Sequence, residues 1–112
     1  MGISTHILDT SRGRPASGVG IHLERQEGEH FVRVGGGVTN DDGRVPVLLG
    51  DEFTLEPGTY RARFLVDTYF KGLGIAAFYP SVTIEFVVVN PTEHFHVPLL
   101  LQPFGYSTYR GS

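Results

Sequence analysis

Tyr60, Ala62, Phe64 and Val66 alternate with Arg61, Arg63, Leu65 and Asp67, and a strict period of two places side chains on opposite faces of an extended strand. The same alternation recurs where Val19, Ile21 and Leu23 interleave with Gly20, His22 and Glu24, which puts His22 on the polar face. It returns where Val82, Ile84, Phe86 and Val88 flank Thr83 and Glu85. Shorter candidate strands are Ile3–Leu8, His30–Val34, Arg44–Leu49, Phe95–Leu101 and a last one near Tyr106–Arg110. Fifteen glycines and seven prolines cut these runs apart, the punctuation of an all-β chain. Only Asp67–Leu73 reads as a helical turn or two, closed by Gly72 or Gly74. About eight strands in one short chain argue for a two-layer β-sandwich. The length of 112 residues fits a single domain over 1–112.

Turn chemistry supports this division. Asn40-Asp41-Asp42-Gly43 supplies Asx-type turn residues and a glycine for positive φ. Glu56-Pro57-Gly58 fits a turn with proline second and glycine third. Gly35-Gly36-Gly37 would weaken a strand through it and marks a bulge or loop.

Several function classes are disfavoured early. The absence of cysteine rules out disulfides, thiolate metal sites and a cysteine nucleophile. A net charge of −3 with a single lysine, Lys71, leaves no basic stripe for nucleic acid. The longest apolar runs, Val87-Val88-Val89 and Leu99-Leu100-Leu101, are too short to span a bilayer. Met1-Gly2 leads into polar Ser4-Thr5-His6 without a signal-peptide pattern. A cytoplasmic location is the expectation, although removal of an export signal before this start would leave the same sequence.

The densest chemistry lies at the end. His94 and His96 sit two apart in a predicted strand and share a face with Pro98 and Leu100, while Phe95, Val97, Leu99 and Leu101 form the other. Pattern alone favours ordinary strand histidines over a His-x-His metal site, because no third ligand lies nearby in sequence. His6 falls opposite Ile3 and Ile7. Arg44 opens a strand after the Asn40–Gly43 turn, and Arg110 sits in a tail rich in hydroxyls. Either could be a solvated rim charge. His22 and His30 read as surface residues. Asp41 and Asp42 serve turn geometry, and Glu24, Glu27 and Glu29 form a solvated acidic loop. There is no Gly-x-Ser-x-Gly elbow, phosphate-binding glycine loop or helical zinc motif.

Taken together, Thr5-His6-Ile7-Leu8-Asp9-Thr10, Gly13-Arg14-Pro15-Ala16, Asp42-Gly43-Arg44, Phe78-Tyr79-Pro80 and the closing segment His94–Ser112 resemble the transthyretin-like family. The ending Tyr109-Arg110-Gly111-Ser112 resembles its 5-hydroxyisourate hydrolase branch and not the hormone carrier. The likeness runs from Ile3 to Ser112. It implies a transthyretin-like sandwich assembled as a homotetramer, a dimer of dimers with edge strands pairing and active sites in a channel between dimers. It implies catalytic roles for His6, Arg44 and His96, with Tyr109, Arg110, Gly111 and Ser112 binding substrate. All of these are present. Departures are mild: Phe95 stands where tyrosine is common, Gln102 where serine is common, and Tyr79 where a second phenylalanine is common.

The implied reaction opens a cyclic amide, so water must be activated and an oxyanion stabilised. Neutral histidine suits the first task near neutral pH, and arginine suits the second. No metal or organic cofactor is required. The competing expectation is a non-enzymatic transthyretin-type carrier of a small apolar ligand. A third is an immunoglobulin-like interaction domain using its edge strands.

Overall fold

The computed structural model describes residues 2–112; Met1 lies outside the described residues. The strands are β1 (Gly2–Asp9), β2 (Arg14–Pro15), β3 (Gly20–Glu27), β4 (His30–Val38), β5 (Arg44–Val45), β6 (Gly58–Phe64), β7 (Val82–Val88), β8 (His94–Gln102) and β9 (Gly105–Thr108), with one helix, α1 (Val66–Gly72). One sheet runs β2-β1-β8-β9 with β5 also on β1, and the other runs β4-β3-β6-β7. The expected two-sheet β-sandwich with one short helix is therefore observed.

Alternation builds the core. Ile21, Leu23, Tyr60, Ala62 and Phe64 from one sheet are fully buried against Ile3, Ile7, Leu99 and Leu101 from the other. Each Ile, Leu and Phe among them contributes roughly 1.5–3 kcal/mol on burial, which is how a cysteine-free domain holds together. Val66 is buried as expected, but as the first helical residue and not the last of a strand. Gly74, at φ 71°, takes the left-handed conformation just past the helix end.

One expectation is met in part and one needs correction. The Gly35–Gly37 run lies inside β4 and not in a loop, and the expected bulge is found at its start: the register steps from Leu23 opposite Gly35 to Glu24 opposite Arg33, skipping Val34. Glycine is required there by crowding, since an added Cβ at Gly35 would overlap the Leu48 carbonyl and one at Gly36 the Ile21 carbonyl. The expected strand Arg44–Leu49 shrinks to Arg44–Val45, with one bridge from Leu49 to Gly35. Pro46 has no N–H to continue a ladder.

The pairing that matters most for function is β1 with β8, which is parallel. It joins the two ends of the chain, setting Ser4 opposite His96 and His6 opposite Pro98. Thr5, buried on the inner side, donates its hydroxyl to the Val97 carbonyl at 2.6 Å. The end of β1 is secured by Asp9, a fully buried carboxylate. It accepts from the Ser11 and Arg12 amides, the Ser11 hydroxyl and the Tyr69 hydroxyl of α1. An isolated buried carboxylate would cost several kcal/mol, so these donors are what make the position tolerable. Burial, reinforced by the bond to Asp9, raises the Tyr69 phenol above its ordinary pKa.

Candidate active site

The outer face of the β5-β1-β8 sheet gathers the polar groups. His6 pairs with Arg44 across β1 and β5, and Ser4 pairs with His96 across β1 and β8. The Asn40–Gly43 turn aims Arg44, because the Asn40 side-chain oxygen accepts from the amides of both Asp42 and Arg44. Gly43 completes it at φ 74°. Beyond β8, the tail returns as a continuation of β9 in the same register: Thr108 opposes Leu99, and Gly111 bridges to His96. The ladder breaks between them because Pro98 lacks an N–H, and the Thr108 hydroxyl takes the Pro98 carbonyl instead at 2.7 Å.

A cleft of about 320 Å³ opens on this face, lined by Ser4, Thr5, Arg44, Pro46, His94, His96 and Ser112. Arg44, His96 and Ser112, expected from sequence, are thus brought together. His6 is half-buried beside them and does not line the cleft itself. Gly111 forms the wall behind His96: its amide donates to the His96 carbonyl at 2.9 Å, and an added Cβ would collide with the imidazole. Its role here is to let the tail lie flat against the ring.

Tyr109 and Arg110 are not brought into this cleft. Period two in the tail puts Arg110 on the face of Phe95, opposite Gly111. Its guanidinium sits 4.6 Å from the Phe95 ring centroid, pairs with Glu93 at 2.8 Å and donates to the His94 carbonyl. Tyr109 is exposed, and both residues line a second, more apolar opening with Ile84 and Phe86 at the sheet edges.

One member was missed from sequence. The Ser4 hydroxyl, 8% exposed, lies 2.7 Å from His94 Nε2 and 2.8 Å from His96 Nδ1. The available signal was the shared period of two, which places Ser4 and His6 on one face as it does His94 and His96. Serine is too common for that to stand out.

The electrostatics favour a neutral base. Burial, then the Arg44 guanidinium, then His6 and His94 hold the His96 imidazole below its ordinary pKa. Among the described residues no three His, Asp or Glu side chains gather into a metal-ligand cluster, so the His-x-His metal reading finds no ligand set.

A β-sandwich whose outer sheet face joins a neutral imidazole, a guanidinium and a hydroxyl in one cleft has the equipment of a hydrolase. The HIUase/transthyretin family model matches residues 3–111, and the chain belongs to that family. The 5-hydroxyisourate hydrolase of Deinococcus radiodurans is 46% identical over 114 residues, covering 99% of this chain and 96% of that one. The structure of Klebsiella pneumoniae 5-hydroxyisourate hydrolase is similar at a TM-score of 0.84 and 38% identity, covering all of both chains. Sea bream transthyretin in complex with thyroxine is similar at a TM-score of 0.89 but only 25% identity, covering 99% of this chain and 95% of that one. Fold alone therefore does not separate hydrolase from carrier; side chains do.

Proposed function

We infer that the chain hydrolyses the cyclic amide of 5-hydroxyisourate, giving 2-oxo-4-hydroxy-4-carboxy-5-ureidoimidazoline in urate breakdown. The observation that carries this reading is the convergence of Arg44, His96 and Ser112 on one cleft. Neutral His96 takes a proton from water as the water oxygen attacks the amide carbon. Arg44 holds the resulting oxyanion with charge-assisted hydrogen bonds. Collapse breaks the carbon–nitrogen bond, and the proton returns to the leaving nitrogen from the imidazolium. His6, beside Arg44, assists as the second acid–base group, and Ser112 orients the ring or the water. The carrier alternative is disfavoured because the cleft presents imidazole, guanidinium and hydroxyl groups where an apolar ligand needs an apolar wall.

The direct test is the decay of freshly generated 5-hydroxyisourate with purified protein across pH. Because His96 is the base and its pKa is lowered, kcat/KM should hold below pH ~6.5 and fall only as pH drops through the lowered value. The same sign applies to stability. The unfolded histidine takes up its proton at the higher pH, so stability from this group is full above ~6.5 and declines on acidification. An acid limb above 6.5, or no turnover at all, would contradict the reading.

The assembly proposed is a homotetramer, a dimer of dimers. Support comes from edge strand β7, where Val87 and the following Val89 are 61% and 78% exposed, and from Phe78 and Phe104 at 70% and 69%. Exposed apolar groups of this size mark contact surfaces. In such an assembly Tyr109 and Arg110, at the sheet edge, would reach substrate next to a second protomer. Sedimentation should give the tetramer mass, and a stable monomer would refute the assembly. A cytoplasmic setting is proposed with it, where a chain without cysteine has no disulfide to lose.

A further inference from the structure

We propose that Ser4 and His94 are positioning residues that lock the tautomer of His96 through a single shared hydroxyl. The inference rests on His96 being the base.

Its basis is hydrogen-bond counting. The Ser4 hydroxyl has one proton to donate, yet it contacts two imidazole nitrogens at 2.7 and 2.8 Å. With both rings neutral, the hydroxyl oxygen could accept from both, but its own proton would then have no partner among the described residues at a position only 8% exposed. With that proton used, Ser4 donates to one ring and accepts from the other. Only two arrangements satisfy this. In the first, Ser4 donates to His94 Nε2 and accepts from His96 Nδ1–H, so both rings carry their proton on Nδ1. In the second, Ser4 donates to His96 Nδ1 and accepts from His94 Nε2–H, so both carry it on Nε2. The hydroxyl therefore ties the two rings to the same tautomer, across strands that are 90 residues apart in sequence.

Of these two, only the first makes His96 a base. Its Nδ1 is occupied by Ser4, so Nε2 is the nitrogen left to take a proton from water, and it must bear a lone pair. Arg44 shares the cleft and favours that lone pair, since a guanidinium repels an N–H and attracts an acceptor. When Nε2 gains its proton, Nδ1–H remains bonded to the Ser4 oxygen. The Ser4 oxygen becomes a better acceptor because its own proton is drawn toward His94. No proton crosses the hydroxyl in this scheme; Ser4 and His94 hold the ring and its tautomer. In other hydrolases the loss of such tautomer control costs up to about 10⁴ in kcat. The Ser4 network is smaller and uncharged, so a loss of roughly 10–100-fold is expected, on the scale of orienting partners behind a reacting histidine.

The test uses ¹⁵N-histidine-labelled protein at a pH where both rings are neutral. Long-range ¹H–¹⁵N spectra report which ring nitrogen carries hydrogen. Wild-type protein should show His94 and His96 both protonated on Nδ1. Ser4→Ala should return His96 to a mixture, lower kcat roughly 10–100-fold and leave KM within about twofold. Ser4→Thr, which restores the hydroxyl, should restore both tautomer and kcat. Opposite tautomers on the two rings, or an unchanged His96 tautomer in Ser4→Ala, would overturn the lock. So would full activity in Ser4→Ala while His96→Asn is inactive, an outcome that leaves the hydrolase assignment standing. If His96→Asn itself retains full turnover, the assignment of the base falls, and the lock's catalytic role falls with it.

Discussion

His96→Asn should lower kcat for 5-hydroxyisourate by roughly 10²–10⁴, the range that general acid–base catalysis supplies. Asparagine preserves much of the shape and can still accept from or donate to Ser4, but it has no nitrogen able to take a proton at neutral pH. The ring is half-buried on the outer face of the sheet and outside the buried hydrophobic cluster, so the fold should survive. The measurement is substrate decay with circular dichroism and sedimentation on the same sample. A folded variant with near-wild-type turnover would remove His96 from the chemistry, whereas a misfolded one would show that the ring is structural.

Arg44→Ala should cost about 10²–10³ in kcat, the measured scale for losing one oxyanion donor. The residue is exposed and its strand spans only Arg44–Val45, so its side chain contributes little to stability. A second effect separates this role from a merely structural one. Arg44 is among the causes that hold the His96 pKa down, so its removal should move the acid limb of kcat/KM upward, toward ~6.5. Arg44→Lys should keep that limb low while recovering only part of kcat, because an ammonium lacks the planar fork that donates two parallel bonds. A kcat loss with an unmoved acid limb would assign Arg44 to oxyanion stabilisation alone and contradict its electrostatic influence on His96.

The sandwich itself was legible because its signals are local. The alternating residues of β3, β6 and β7 are covalent neighbours, and the turn at Asn40–Gly43 is built from its own side chains. The glycine run signalled its bulge but not its cause, which is not local: Gly35 and Gly36 are small to admit the Leu48 and Ile21 carbonyls, which no reading of three glycines reveals. Pro46 shortened a strand whose apolar pattern ran on past it.

The site divides in the same way. Alternation set which residues share a face, so His94 and His96 could be placed side by side, and the closing motif drew Arg44, His6 and the tail into one resemblance. Applied to the tail, the same alternation predicts Arg110 opposite Gly111, where it is found against Phe95 and Glu93. What sequence alone determined was thus the set of faces, the fold class and the family's chemistry. Which faces meet was decided by tertiary structure: the parallel pairing of β1 with β8 sets Ser4 between His94 and His96. A strand's period follows from the geometry of its own backbone. Its neighbours follow from how the whole chain buries its apolar surface, and that is not written in any one segment.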